Sequence, residues 1–162
     1  LHAAERWSAA NPQHAQGRLL VAGLLQDAAR NDDALGAYEA VLQLDSDNVP
    51  ALNNAAWLTH ELGRPGALDL AERAHKLAGD NPAVLDTYGW ILLTAKREAE
   101  SIAQLSQAAK LAPDTPEIRY HLAKALAAGG KPAEARSELT ALLQGGRDFQ
   151  QRADAQRLLN SL

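Results

Sequence analysis

The sequence predicts an all-α fold, a right-handed α-solenoid of about four helix-turn-helix units followed by a C-terminal capping helix. Three observations predict it: a repeat with a period of 33–34 residues, a composition that favours helices, and turn residues near the expected helix ends. The 162 residues are 46% hydrophobic but only 4% aromatic, so the core must be built from Ala and Leu, which are strong helix formers. β-branched residues are scarce, which argues against an all-β fold.

The repeat is visible as columns of similar residues in register. Two columns hold small residues and a third holds leucines, with members 33 or 34 residues apart. The columns are Ala22, Ala56, Gly89 and Ala123; Ala34, Ala67, Ser101 and Ala135; and Leu44, Leu77 and Leu111. Small side chains let paired helices approach closely. The period divides the chain into repeats at 15–48, 49–81, 82–115 and 116–148.

Within each repeat the pattern predicts two amphipathic helices of about 13 residues separated by a turn. The Asn-Pro pair at 81–82 and the Thr-Pro pair at 115–116 each place an N-cap residue before a first-turn proline. Pro65 and Pro132 are expected to open second helices, each after a glycine that ends the first helix.

The two ends of the chain continue the pattern. Residues 1–14 are interpreted as the second helix of a truncated preceding repeat, so the chain is expected to be a fragment of something longer. Residues 149–162 are predicted to form the capping helix, with a helix over 149–161 and Ala155, Leu158, Leu159 and Leu162 along one face. A polar outer surface on that helix is typical of the end of a solenoid.

The residues that carry most enzyme chemistry are missing or wrongly spaced. There is no Cys, and His60–Glu61 lacks the second His that a zinc-protease motif requires. The paired glycines lie at turns, with no Lys-Ser/Thr of a phosphate-binding loop after them. We therefore expect no enzyme activity, no catalytic residue, no metal site and no cofactor.

Charge and hydropathy limit the class of partner. The 16 Lys and Arg residues against 20 Asp and Glu residues give a net charge of -4, which argues against a nucleic-acid partner. No apolar stretch approaches the roughly 18 residues of a membrane span, so none is expected in this chain.

The residue pattern resembles the tetratricopeptide repeat (TPR) family over essentially the whole chain. The family places small residues at the eighth and twentieth positions of each repeat, which are the two small-residue columns described above. Only Pro113 fills the proline position near the end of the repeat, and no repeat has the fourth-position Trp. More narrowly, the phrases LDTYGWILL and PEIRYHLA resemble the C-terminal repeats of the TPR lipoprotein of the bacterial PEP-CTERM/exosortase exopolysaccharide system.

The TPR resemblance implies that the first helix of each repeat lines a concave binding groove. Trp57 and Trp90 occupy equivalent positions there, and Asn53, Asp86 and Tyr120 form a parallel row. Carried over position by position, the expected partner-binding residues are Asn53, Trp57, His60, Glu61, Asp86, Trp90, Thr94, Tyr120 and Lys124. Exposed aromatic rings anchor peptides and stack on sugars. The alternative is that the Trp rings lie against a neighbouring helix and fill space left by Ala.

The resemblance implies a non-catalytic scaffold that binds a protein or peptide segment in its groove, within a bacterial envelope complex for exopolysaccharide assembly or export. Two alternatives stay open at this point: a polysaccharide-binding surface using Trp57, Trp90 and Tyr120, and a structural spacer or self-assembly module. The groove lacks the cluster of Lys, Arg and Asn that holds a terminal carboxylate, and it would suit a segment with Lys or Arg, or a neutral polymer. The resemblance also implies a periplasmic or outer-membrane-associated location.

Overall fold

The computed structural model describes residues 1–145 and 148–162, and every regular element in these ranges is an α-helix, as predicted. Gly146 and Arg147, near the end of the predicted fourth repeat, lie outside the described residues. The chain divides into an N-terminal unit, Leu1–Ala78, and a C-terminal unit, Gly79–Leu162, and each is described by itself.

The N-terminal unit contains five helices: α1 (His2–Ala10), α2 (Ala15–Asp27), α3 (Asn31–Leu44), α4 (Val49–Glu61) and α5 (Ala67–Ala78). The C-terminal unit contains α6 (Pro82–Thr94), α7 (Glu98–Leu111), α8 (Pro116–Ala128), α9 (Pro132–Gln144) and α10 (Arg152–Ser161). Within each unit, helices that follow one another along the chain pack together. The helix pairs agree with the predicted pairs, while the repeat boundaries themselves stay a prediction.

Asparagine side chains cap the starts of two helices, α4 and α6. The Asn81 side chain accepts a hydrogen bond from the Ala83 N–H at 2.9 Å, which confirms the predicted cap of α6. The Asn48 side chain caps α4 in the same way, by accepting a hydrogen bond from the Ala51 N–H at 3.1 Å. Thr115 stands at the N-cap position of α8 without such a bond, so Pro116 marks that start by its fixed φ alone.

The turns inside the repeats depend on backbone in the left-handed region. Gly63 and Gly130 have φ of 64° and 74°, values that glycine adopts at little cost because it has no Cβ atom, and each ends a first helix as predicted. Pro132 then opens α9. The expectation for Pro65 is wrong, because Gly66 has φ 97° and delays the start of α5 to Ala67.

A buried phenol lies at the centre of the N-terminal unit. Tyr38 is 2% exposed, its hydroxyl donates to Gln26 Oε1 at 2.9 Å, and Asn54 Nδ2 donates to that hydroxyl at 3.1 Å. These bonds join α2, α3 and α4. Burial raises the pKa of the Tyr38 phenol, the hydrogen bond from Asn54 lowers it, and the charge of Asp27 raises it.

Replacing Tyr38 by phenylalanine is expected to lower stability near neutral pH by about 1 kcal/mol, because Gln26 and Asn54 lose their shared partner. Because the folded-state pKa is raised, the wild type keeps its proton where the unfolded chain loses it, and stability falls as pH rises above about 10. The phenylalanine variant lacks this loss. The stability difference between the variant and the wild type should therefore shrink as pH rises. Urea unfolding of both proteins at about pH 8 and about pH 11 tests this; a constant deficit would contradict it.

In the C-terminal unit, α6 and α7 approach each other closely at Gly89. A Cβ atom placed there would lie 2.6 Å from Leu105 Cγ, which is far inside van der Waals contact. The Ser101 hydroxyl donates to the Gly89 carbonyl at 2.7 Å, so two of the small-residue positions meet directly. The predicted role of these positions in close packing is therefore visible between α6 and α7.

The last helix begins later than the sequence suggests. The predicted helix over 149–161 is corrected at its start, since α10 begins at Arg152 and Phe149 instead inserts its ring into the core. Ala155 is fully buried, and the three predicted leucines pack, partly buried, against the cluster that contains Tyr120 and Leu139. The leucines are Leu158, Leu159 and Leu162.

Candidate functional site

In the C-terminal unit, α6 and α8 bring five side chains together: Asp86, Trp90, Tyr120, His121 and Lys124. We refer to these as the α6–α8 cluster. Asp86 Oδ1 lies 2.8 Å from His121 Nδ1, and the Trp90 and His121 ring centroids are 4.3 Å apart at an interplanar angle of 31°. Lys124 Nζ lies 5.4 Å from the Trp90 ring centroid and 5.8 Å from that of Tyr120.

The spacing along each helix explains why these residues share a face. Asp86 and Trp90 are four positions apart on α6, and Tyr120 and Lys124 are four positions apart on α8. Residues at this spacing lie one above the other on a helix surface. Four of the predicted site residues are thus brought together by one pair of helices within one unit.

His121 belongs to the cluster but was missed by the sequence analysis. Its side chain is only 6% exposed, and a buried imidazole requires a hydrogen-bond partner, which the partly buried Asp86 provides. A position-by-position comparison of groove residues selects Tyr120 and passes over the next residue. One signal was available in the sequence. Asp86 lies on the first helix of one predicted repeat, and His121 lies on the first helix of the next, one residue after Tyr120, the repeat equivalent of Asp86.

Tyr120 differs from its expected state. It is 5% exposed because it packs into the cluster of Leu139, Phe149 and Ala155, so the exposed ring expected for a sugar-stacking surface is not present. Burial raises the pKa of the Tyr120 phenol, as does the charge of Asp154, whereas that of Arg157 lowers it. Tyr120 is therefore a buried member of the α6–α8 cluster, and its ring contributes little accessible surface.

Thr94 lies at the last turn of α6 and is exposed. Its hydroxyl donates to the Ile91 carbonyl at 2.8 Å, which uses its proton inside the helix. Thr94 is thus available to a ligand only as an acceptor. It shares a helix with Trp90, one turn further on.

The other predicted residues lie on α4 of the N-terminal unit. Trp57 is half-buried and packs against the core that contains Tyr38 and Leu58. Asn53 Oδ1 is buried without a hydrogen-bond partner among the described residues. His60 is half-buried and Glu61 is exposed, both in the last turn of α4. Trp57 and Trp90 belong to different units, so the shared groove stays a prediction.

Both indoles have part of their surface covered and part accessible. The packing of Trp57 on the core and of Trp90 on His121 is what the space-filling alternative expects. Neither ring is fully buried, however, and both keep accessible area for a ligand. The space-filling interpretation therefore applies to the covered part of each indole, and the ligand-binding interpretation applies to the accessible part.

Residues 1–145 and 148–162 contain neither a candidate metal-binding group nor a candidate membrane span. No three His, Asp or Glu side chains in these ranges come together as a metal-binding group. None of the described helices combines the length and the hydrophobicity that are needed to cross a membrane.

The fold is similar to that of solved tetratricopeptide repeat proteins. The crystal structure of YrrB, a TPR protein with an unusual peptide-binding site, matches with a TM-score of 0.76 and 23% identity, covering 98% of this chain and 81% of that chain. TTC0263, a thermophilic TPR protein in Thermus thermophilus, matches with a TM-score of 0.75 and 19% identity, covering 97% of this chain and 87% of that chain. The predicted fold class is confirmed as the TPR fold.

Part of the chain is also similar in sequence to tetratricopeptide repeat proteins. Residues 95–162 match a tetratricopeptide repeat family model. The TPR repeat-containing protein PA4667 of Pseudomonas aeruginosa is 38% identical over 84 residues, which is 51% of this chain and 14% of that protein. The chain therefore corresponds to a small part of this relative. The predicted resemblance is confirmed for the fold and for the sequence of residues 95–162.

Proposed function

We propose that this chain is a non-catalytic protein-interaction module, which binds a segment of a partner protein on the accessible side of the α6–α8 cluster. The observation that carries the proposal is Trp90, a half-buried indole that contacts the His121 ring and the Lys124 ammonium, both on α8. An aromatic side chain held in this way loses little conformational entropy on binding. Such residues are the common anchors of protein interfaces.

The hydrogen bond that Asp86 accepts from His121 supports this arrangement. It fixes the His121 ring, and that ring lies 4.3 Å from Trp90, centroid to centroid, so the indole has a defined neighbour before any ligand arrives. Residues whose positions are fixed by buried partners make more precise binding sites than mobile ones. The peptide-binding site of YrrB, which shares the fold, also supports a peptide ligand.

Replacing Trp90 by alanine is expected to weaken peptide binding at least about tenfold, the loss that is usual for an interface anchor. The probe is an array of short random peptides, acetylated and amidated so that neither end is charged. Trp7→Ala serves as the matched control, because Trp7 also presents an accessible indole, 46% exposed, but lies on α1 in the N-terminal unit.

The control variant should bind the same peptides as the wild type, and both variants should keep the wild-type helix content by circular dichroism. If no peptide binds to the wild type, or if Trp90→Ala binds as tightly as the wild type, the proposed site is wrong. Reduced binding in both variants would indicate a general loss of structure, which the helix content and melting temperature would reveal.

We also propose that the partner belongs to an envelope complex for exopolysaccharide assembly or export, in the periplasm or at the outer membrane. The support is the resemblance of LDTYGWILL and PEIRYHLA to the lipoprotein of the PEP-CTERM/exosortase system. Fractionation of the source organism with an antibody to this chain tests the location. Recovery in the cytosolic fraction alone would contradict it.

A further inference from the structure

We propose that the α6–α8 cluster recognises an acidic side chain, Asp or Glu, within the bound segment, and that Lys124 is the residue that pairs with it. This inference rests on the proposed function, because it names the chemistry of the same ligand. It differs from the sequence-based expectation of a segment with Lys or Arg. The difference comes from how the charges around the cluster are paired.

Two carboxylates near the cluster, Asp86 and Asp154, are already engaged. Asp86 pairs with His121, and Asp154, whose charge acts on Tyr120, pairs with Arg157. Lys124, in contrast, has no ion pair with any residue in the described ranges. The cluster therefore presents one cation without a counter-charge.

The position of Lys124 is set by its neighbours rather than by an anion. Its ammonium lies over the Trp90 and Tyr120 rings, an arrangement that attracts the cation without neutralising it. A carboxylate that pairs with Lys124 can do so while both ring contacts stay in place. A Lys or Arg from a partner would have to displace Lys124 from the rings and would also be repelled by its charge.

Glu117 is the other charged residue on this side of α8. It precedes Lys124 by seven positions, which is about 10 Å along a helix axis, and it is half-buried. Among the described residues, no ion pair joins the Glu117 carboxylate to the Lys124 ammonium. Glu117 therefore leaves the Lys124 ammonium available to an acidic group of a ligand.

A charge-reversal experiment tests the inference. Peptides that bind the wild-type chain are resynthesised in matched sets with Glu, Gln or Lys at each position, still acetylated and amidated. At the position that faces Lys124, wild type is expected to bind the Glu peptide at least about fivefold more tightly than the Gln peptide, and the Lys peptide most weakly. Lys124→Glu should reverse this order, and Lys124→Gln should remove the preference.

Lys110→Glu is the matched control. Lys110 is an exposed lysine at the end of α7, and the same charge change there should leave the order of the three peptides unchanged. Circular dichroism and thermal melting confirm that the variants are folded. Lys124→Gln keeps the test informative if the charge reversal disturbs the helix.

The outcomes separate this inference from the proposed function. Binding that depends on Trp90 but shows no preference for Glu, or a preference that Lys124→Glu leaves intact, overturns the acidic-ligand inference alone. Absence of any peptide binding overturns the proposed function with it. Binding of a soluble polyuronate that requires Lys124, in place of peptide binding, would assign the same cation to an acidic polysaccharide and would also overturn the inference.

Discussion

Replacing Leu139 by alanine is expected to lower the free energy of unfolding by about 2–5 kcal/mol, the usual loss for a buried leucine. Leu139 is 0% exposed and packs in the cluster that joins α8, α9 and α10 through Tyr120, Phe149 and Ala155. The alanine leaves a cavity among side chains from three helices, which cannot all move to fill it. Urea unfolding followed by circular dichroism measures the loss.

The matched control is Leu111→Ala. Leu111 belongs to the leucine column that repeats along the sequence, but it is 50% exposed at the end of α7. Its replacement should therefore change stability by less than about 0.5 kcal/mol. Similar losses in the two variants would show that Leu139 does not carry the packing assigned to it.

Replacing Gly89 by alanine is expected to destabilise the chain although alanine is the better helix former. The added methyl would lie 2.6 Å from Leu105 Cγ, a branch point in a residue that is itself 0% exposed. Such overpacking costs about 1–3 kcal/mol. It outweighs the gain of about 1 kcal/mol that alanine brings to a helix interior.

Gly23→Ala should have the opposite sign. Gly23 lies within α2, and a Cβ atom there would meet nothing within 4 Å among the described residues. Only the helix-propensity gain remains, so this variant should be more stable by up to about 1 kcal/mol. Parallel urea unfolding of the two variants provides the test. Stabilisation by Gly89→Ala would contradict the close approach of α6 and α7.

The columns of the repeat do not all mark buried positions. Gly89 and Ser101 lie directly opposite each other, as small residues at a tight contact should. Leu44, Leu77 and Leu111 recur with the same period, yet they are 38%, 48% and 50% exposed. A period reveals which positions are equivalent. It does not reveal which of them face the core, because that depends on the packing of neighbouring helices.

The sequence analysis also identified only some of the residues of the candidate site. The resemblance to the TPR family selected Asp86, Trp90, Tyr120 and Lys124, and these four lie together in the structure. It did not select His121, whose pairing with Asp86 joins residues 35 positions apart. It also did not indicate that Tyr120 is buried, because Phe149 and α10 cover it from outside the repeat pattern.

The sequence by itself determined the all-α class, the pairing of helices and several helix ends, because these depend on local spacing, on caps such as Asn81 and on glycines at positive φ. Only the tertiary structure decided where charges are paired and which rings stay accessible. Asp86 and Lys124 look alike in the sequence as charged groove residues, but the first has a buried partner and the second has two rings and no anion among the described residues. Such differences arise from contacts between helices, and no local pattern encodes them.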